Sequence, residues 1–258
     1  MIPFADLLAA AVRQASTVAE TEHRPWPLPR DPWVMGQTWE HLLFAHWPVD
    51  VASIRAHVPH DLEVEQYDGS AWLGITPFEV TGLRARGILP LPVVSSFREL
   101  NVRTYVARDE QAGIWFFSLD ASSQLAVEAA RRLYRLPYFR AQIKLEWRAD
   151  SFSFDCSRDE GRAFSTSYRP TGKASPARPG TLAHFLTERY CLYAADRGRL
   201  YRADIHHRPW QLRPAEASID LNSMAPDRVD VAGDPLLHFS ARQDVVIWPL
   251  REIAVRSA

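Results

Sequence analysis

Lysine is almost missing from this chain of 258 residues: among its 30 basic side chains only Lys144 and Lys173 carry an amine. Any chemistry that needs a lysine nucleophile is therefore confined to two positions. Cysteine is equally scarce. Cys156 and Cys191 lie far apart, in no metal-binding or redox spacing, and read as ordinary thiols of a reducing compartment. No stretch approaches the roughly 20 apolar residues that a bilayer-spanning helix needs. The first residues lack the basic start and apolar run of a signal peptide, so a cytoplasmic location is the default expectation. There is no glycine-rich phosphate loop, nucleophile elbow, basic stripe or zinc-finger spacing. A net charge of -1 supplies no field to draw nucleic acid or an anionic membrane. His206 and His207 are adjacent, which on a strand sends them to opposite faces, and no acidic neighbour completes a ligand set. Neither a metal nor a cofactor is expected.

What is present is a core. With 47% of residues hydrophobic, the chain buries enough surface to fold without disulfides or metal, and its length suits one large domain. Apolar positions Phe4, Leu7, Leu8, Ala11 and Val12 predict an amphipathic helix within 2–20. Pro25, Pro27, Pro29 and Pro32 then make an extended strap, which Trp26 and Trp33 are expected to pin down. Residues 1–32 thus read as helix and strap, and 33–258 as a single domain.

Within that domain Asp50 caps a short helix over 51–58, and Asp68-Gly69 marks a hairpin turn between 62–67 and 71–80. Residues 81–96, with Gly82, Gly87, Pro90 and Pro92, read as a loop. Alternation over 98–106 puts Leu100, Val102, Thr104 and Val106 on one face and Glu99, Asn101, Arg103 and Tyr105 on the other. An aromatic strand follows at 114–120. Ser122 or Ser123 caps a helix to about Tyr134, which ends before Pro137. Residues 141–147 alternate again, with Ala141, Ile143, Leu145 and Trp147 on one face. Strands are expected near 151–156 and 162–169, a helix at 181–194, and several strands over 199–253. Many strands with few helices predict an α+β protein built on a large antiparallel sheet or incomplete β-barrel.

Several phrases resemble one family. His46-Trp47-Pro48-Val49-Asp50, the segment Phe97-Arg98-Glu99-Leu100-Asn101-Val102-Arg103-Thr104-Tyr105-Val106, and Phe116-Phe117-Ser118-Leu119-Asp120 are similar to the uncharacterised YqjF-like family (domain of unknown function 2071). Leu136-Pro137-Tyr138, Thr187-Glu188-Arg189-Tyr190 and His207-Arg208-Pro209-Trp210 extend the likeness over roughly 33–254. The resemblance implies an acetoacetate decarboxylase-like fold with a few flanking helices and a central cavity, and leaves a homo-oligomer open. Acetoacetate decarboxylases follow a helix with Pro-Lys-Lys, whose first lysine forms the Schiff base and whose second lowers its pKa. Here the matching residues are Pro137, Tyr138 and Phe139. A phenol cannot form an iminium and a phenylalanine cannot depress a pKa by charge, so Schiff-base decarboxylation is not expected. The superfamily's aromatic-x-Glu is matched by Phe97-Arg98-Glu99, which implies that Glu99 faces the cavity.

The candidate site is therefore the polar face of 98–106 together with Tyr138. Arg103 would hold a carboxylate by two parallel hydrogen bonds, assisted by Asn101 and Tyr105, with Glu99 as general acid/base and Tyr138 donating to a carbonyl. The expected partner is a small organic (keto) acid. Three outcomes stay open at this point. A cavity with Glu99 raised in pKa favours a non-Schiff-base lyase or isomerase, a salt-bridged Glu99 favours a binding protein, and a filled lumen favours a structural or partner-binding role.

Overall fold

The computed structural model describes residues 4–90 and 95–254. Residues 2 and 3 and the Phe4 side chain of the expected first helix lie outside the described residues, as do Pro92 of the expected loop and the chain end at 255–258. The elements in order are α1 (Phe4–Ser16), β1 (Met35–Val49), α2 (Val51–Arg55), β2 (Glu63–Val64), β3 (Ala71–Ala85), β4 (Phe97–Arg108), β5 (Gln111–Ala121), α3 (Gln124–Tyr134), β6 (Tyr138–Arg140) and β7 (Gln142–Arg148). They continue with β8 (Ser151–Ser157), β9 (Ala163–Pro170), α4 (Leu182–Thr187), β10 (Cys191–Asp196), β11 (Arg199–His207), β12 (Arg213–Asn222), β13 (Leu236–Ile247) and β14 (Arg251–Ile253). No helix among them is long and apolar enough to cross a membrane.

The strands form one large, mostly antiparallel sheet. Its pairings run β11-β10-β5-β4-β3-β1-β13 and return to β11, because Ile205–His207 of β11 also pair with Val245–Ile247 of β13. This ring has two faces and hence two cores. Leu43, Leu73, Ile75, Leu100 and Val102 point outward against Ile143, Leu145, Phe154 and Phe164 of β7–β9. Leu42, Phe44, Phe78, Phe116, Leu119 and Ile205 point inward.

Simple alternation cannot supply the inward set, and two irregularities correct it. In β1 the inward residues are Trp39 and then Leu42, not His41; His41 sits at φ 58°, where the pairing with β3 slips. In β5 the pairing passes from Val102↔Ser118 to Arg103↔Phe116, so Phe117 is the extra residue of a bulge. Phe116 and Leu119 both face inward as a result, while Phe117 packs on the outer core.

Most predicted elements recur with shifted ends, and the differences have identifiable causes. In α1 the buried residues are Leu7, Ala10, Ala11 and Gln14, whereas Leu8 and Val12 are exposed. Gln14 docks the helix by polar contacts, donating to Thr38 Oγ1 and the Gly82 carbonyl and accepting from Arg84 Nε. The Asp68-Gly69 turn forms, but the strand before it shrinks to Glu63–Val64 and pairs with β4 rather than with β3. β3 continues through the expected loop to Ala85. The helix expected over 181–194 stops at Thr187. From Cys191 the chain joins the sheet between β5 and β11, since β-prone side chains such as Cys191, Leu192 and Tyr193 gain two strand partners there. Gly113 of β5 permits that approach, because a Cβ there would lie 2.7 Å from Cys191 Sγ and 2.9 Å from its carbonyl oxygen. Trp147 alternates as expected yet is 57% exposed, at the rim of the outer layer where it stacks on His41.

Candidate functional site

The inward face of the ring encloses a cavity of about 120 Å³. At roughly 10–15 Å³ per water-sized sphere, that is room for on the order of ten heavy atoms. Its wall is largely aromatic and aliphatic, with polar groups concentrated on β4. α3 covers one end, presenting Ala126, Ala129 and Ala130, whose small side chains leave the space unfilled.

Alternation on β4 holds where it matters. Glu99, Asn101 and Arg103 all line the cavity, and each is at most 8% exposed. Tyr138, the first residue of β6, also lines it, because β6 pairs in parallel with β5 at Leu119↔Tyr138. Its hydroxyl donates to Glu99 Oε2 at 3.1 Å. Burial raises the Glu99 carboxyl to about 8, and hydrogen bonds from Tyr138 and Asn101 only partly offset this. Glu99 is thus mostly a neutral acid at pH 7. Burial, and then the nearby Glu99 carboxyl, push the Tyr138 phenol well above its ordinary value, so it stays a donor. Asn101 Oδ1 is buried and meets no donor among the described residues.

Arg103 stands further along the strand. Its guanidinium lies over the rings of Phe44 at 5.4 Å and Tyr105 at 5.9 Å. None of the ion pairs among the described residues involves it, and its buried Nε has no partner. Glu99 and Arg103 do not neutralise each other. A buried cation without an anion is a costly arrangement that a bound carboxylate would relieve.

Gly74 of β3 makes room for this arginine. It faces Arg103 on one side and His46 on the other, and a Cβ would sit 3.3 Å from Arg103 Cγ and 3.0 Å from the His46 ring. Gly74→Ala is expected to push these side chains apart, costing about 1–3 kcal/mol; thermal melting and ligand titration of the variant check this.

Tyr105 is the residue whose expected position needs correcting. It shares the inward face but does not line the cavity, since Phe185 and Leu186 of α4 cover it. Its hydroxyl is 2.7 Å from His46 Nε2, so it supports the wall from behind Arg103. His46 is fully buried, and burial with the Arg103 charge lowers its pKa well below the ordinary value.

Arg189, within the helix expected over 181–194, lies beyond the observed helix end and lines the cavity. Its guanidinium pairs with Glu65 and donates to the Phe185 carbonyl. Glu188 instead accepts from the Tyr190 hydroxyl and the Trp210 amide. Sequence reasoning also missed Thr76, His207 and Trp210, which are separated along the chain and converge only through the ring pairings. His206 and His207 do diverge: His207 lines the cavity, while His206 contacts Arg24 and the Thr17 carbonyl. No group of three His, Cys, Asp or Glu that could hold a metal occurs among the described residues. Lys144 and Lys173 are both exposed and away from the cavity.

Phe139, beside Tyr138, points elsewhere. The guanidinium of Arg158 lies 3.9 Å from its ring centre and grips the buried Asp120 carboxylate through Nε and one Nη.

Comparison with known proteins agrees with this architecture. The family model of domain of unknown function 2071 (DUF2071), described as an uncharacterized conserved protein, matches residues 36–244. "Uncharacterized protein YqjF" of Bacillus subtilis (strain 168) is 46% identical over 228 residues, covering 85% of this chain and 93% of that protein. The enduracididine biosynthesis enzyme MppR complexed with pyruvate superposes with a TM-score of 0.64 at 11% identity, covering 90% of this chain and 95% of that one. An acetoacetate decarboxylase from Legionella pneumophila gives 0.61 at 13% identity, covering 91% and 93%. The chain belongs to the DUF2071 (YqjF-like) family and has the acetoacetate decarboxylase-like fold.

Proposed function

We propose that the protein binds a small organic acid with a keto group through Arg103 and moves a proton at the carbon beside that group with Glu99, without an iminium. The observation that carries the reading is one buried guanidinium in no ion pair among the described residues and one buried, mostly neutral carboxyl on the same cavity face. The solved MppR neighbour was complexed with pyruvate, which supports the substrate class. The ligand carboxylate accepts two hydrogen bonds from Arg103. In the ionised fraction Glu99 is a stronger base than an ordinary carboxylate, because its pKa lies near the working pH. It takes the proton from the adjacent carbon, the C–H electron pair moves into the new C=C bond, and the carbonyl oxygen becomes an enolate. Tyr138, a neutral donor, bonds that oxygen. Return of a proton to that carbon gives exchange, and its delivery to the oxygen gives the enol isomer, with no other reactant needed. This suits an isomerase or a non-Schiff-base lyase better than a filled structural lumen.

A thermal-shift series with small keto, hydroxy and unsaturated carboxylic acids tests the binding step. A ligand that binds only the folded state raises the melting temperature by mass action. The expected result is a shift with keto acids that disappears in Arg103→Ala. No shift from any acid, with both proteins folded, would remove the organic-acid reading and leave a structural or partner-binding role.

A further inference from the structure

The cavity adjoins an apolar groove. Met35, Leu83, Leu133 and Tyr134 line both. Beyond them the groove is walled by Val34, Ile88, Leu89, Pro249 and Leu250, and at about 610 Å³ it is roomier than the cavity of about 120 Å³. Three of these side chains are exposed although large and apolar, Val34 at 39%, Ile88 at 60% and Leu89 at 40%, and Leu133 at the junction is 67% exposed. Exposed apolar residues gathered in one patch mark a binding surface more often than singly scattered ones do. Arg84, the one charged lining residue of the groove among the described residues, is already committed to Gln14 Oε1 and the Ala11 carbonyl. No other charged group among its described lining residues would receive a polar head.

Strand geometry orders the site. Arg103, Asn101, Glu99 and Phe97 follow one another along the inward face of β4, and Phe97 also lines the cavity. At roughly 3.3 Å per residue, Arg103 and Phe97 are about 20 Å apart along the backbone. Leu83 reaches the Phe97 end, where its amide donates to the Ser95 carbonyl. A ligand whose carboxylate sits at Arg103 therefore passes Glu99 and Tyr138 before it meets Phe97, Leu83 and the groove.

From this order we infer that the ligand is amphiphilic: a keto acid bearing an unbranched or cyclic apolar tail, with the head in the cavity and the tail in the groove. The inference rests on the carboxylate reading proposed above and adds the tail. It sets the protein apart from one built for acids as short as pyruvate.

Isothermal titration with straight-chain 2-oxo acids of three to eighteen carbons tests it, using wild type, Arg103→Ala, Ile88→Asp and Leu89→Asp. Because Ile88 and Leu89 are exposed, these two substitutions spare the core. Each methylene that enters the groove is expected to tighten binding about three- to four-fold in wild type. In Ile88→Asp and Leu89→Asp the gain with length is expected to vanish while short acids bind as before. In Arg103→Ala acids of every length are expected to lose affinity. Short acids that bind through Arg103 with no gain from added carbons would overturn the tail and spare the head-group reading. Failure of all lengths to bind would overturn both. Sedimentation of the same samples covers the other occupant: a wild-type dimer that Ile88→Asp splits, with length dependence unchanged, would make the groove a contact between copies and overturn the inference.

Discussion

Glu99→Gln is expected to make the protein more stable at pH 8, although it alters a residue at the centre of the site. A carboxyl raised from 4.5 to about 8 holds its proton in the folded state and sheds it on unfolding. Rising pH therefore favours the unfolded chain. The contribution of Glu99 is intact below about 4.5, is lost progressively as pH climbs to about 8, and is constant above that. At 1.36 kcal/mol per pH unit the interval amounts to on the order of 5 kcal/mol. Glutamine has no such penalty, and its amide finds partners in place: Tyr138 can donate to its oxygen, and Asn101 Oδ1, without a donor among the described residues, can accept from its nitrogen. With 2–4 °C per kcal/mol for a chain of this size, the variant should melt on the order of 10 °C above wild type at pH 8. Near pH 4.5 the two should melt together. Melting curves across that range check this, and a variant that is less stable than wild type at every pH would contradict a neutral, buried Glu99.

The opposite effect is expected at the Asp120–Arg158 pair. Asp120 is fully buried and Arg158 is 6% exposed at the side chain. Burial pushes the Asp120 pKa up, and the bidentate guanidinium pulls it back down. Arg158→Ala removes the only ion-pair partner of that carboxylate among the described residues and the guanidinium over Phe139. The cost should be about 3–5 kcal/mol at neutral pH, the usual loss on orphaning one member of a buried pair. Without Arg158, burial raises Asp120 further, so lowering the pH should protonate it and recover part of the loss. Asp120→Asn, which keeps an acceptor for Arg158 and buries no charge, should cost less than Arg158→Ala. Chemical denaturation of the two variants at pH 5 and pH 7.5 measures both statements. Equal, small losses at both pH values would show that the pair contributes only surface-like energy.

How much of the site could be read from sequence follows from what positions each residue. Glu99, Asn101 and Arg103 were legible because a regular strand alternates and its inward face is set by neighbours on both sides. Tyr138 was legible through the resemblance, which matches Pro137-Tyr138-Phe139 to the Pro-Lys-Lys that follows a helix in acetoacetate decarboxylases. Tyr105 continues the alternation, yet its exclusion from the cavity depends on α4 arriving from residues 182–187. Arg189 was missed because Leu182, Phe185 and Leu186 have helical spacing, and nothing local says that the sheet captures the chain at Cys191. The phase changes at His41 and Phe117 were likewise hidden, since a bulge is defined by the register of the partner strand. Gly74 carries no signal in the sequence beyond that of a glycine within a strand. Its reason is visible only where His46 and Arg103 cross over it from both sides.

The central claim is that Glu99 moves a proton on a carboxylate-anchored ligand. Proton NMR in deuterium oxide, following loss of the C–H signals beside the keto group of 2-oxobutyrate and 2-oxooctanoate, tests it most directly. Wild type is expected to exchange these protons faster than buffer, with a rate that rises with pH, reaches half its limit near 8 and levels off above it as Glu99 ionises. In Glu99→Gln that acceleration should fall by about 10²–10⁴-fold, the usual contribution of a positioned acid or base. Exchange no faster than buffer for acids that demonstrably bind, or exchange that survives in folded Glu99→Gln, would contradict the assignment.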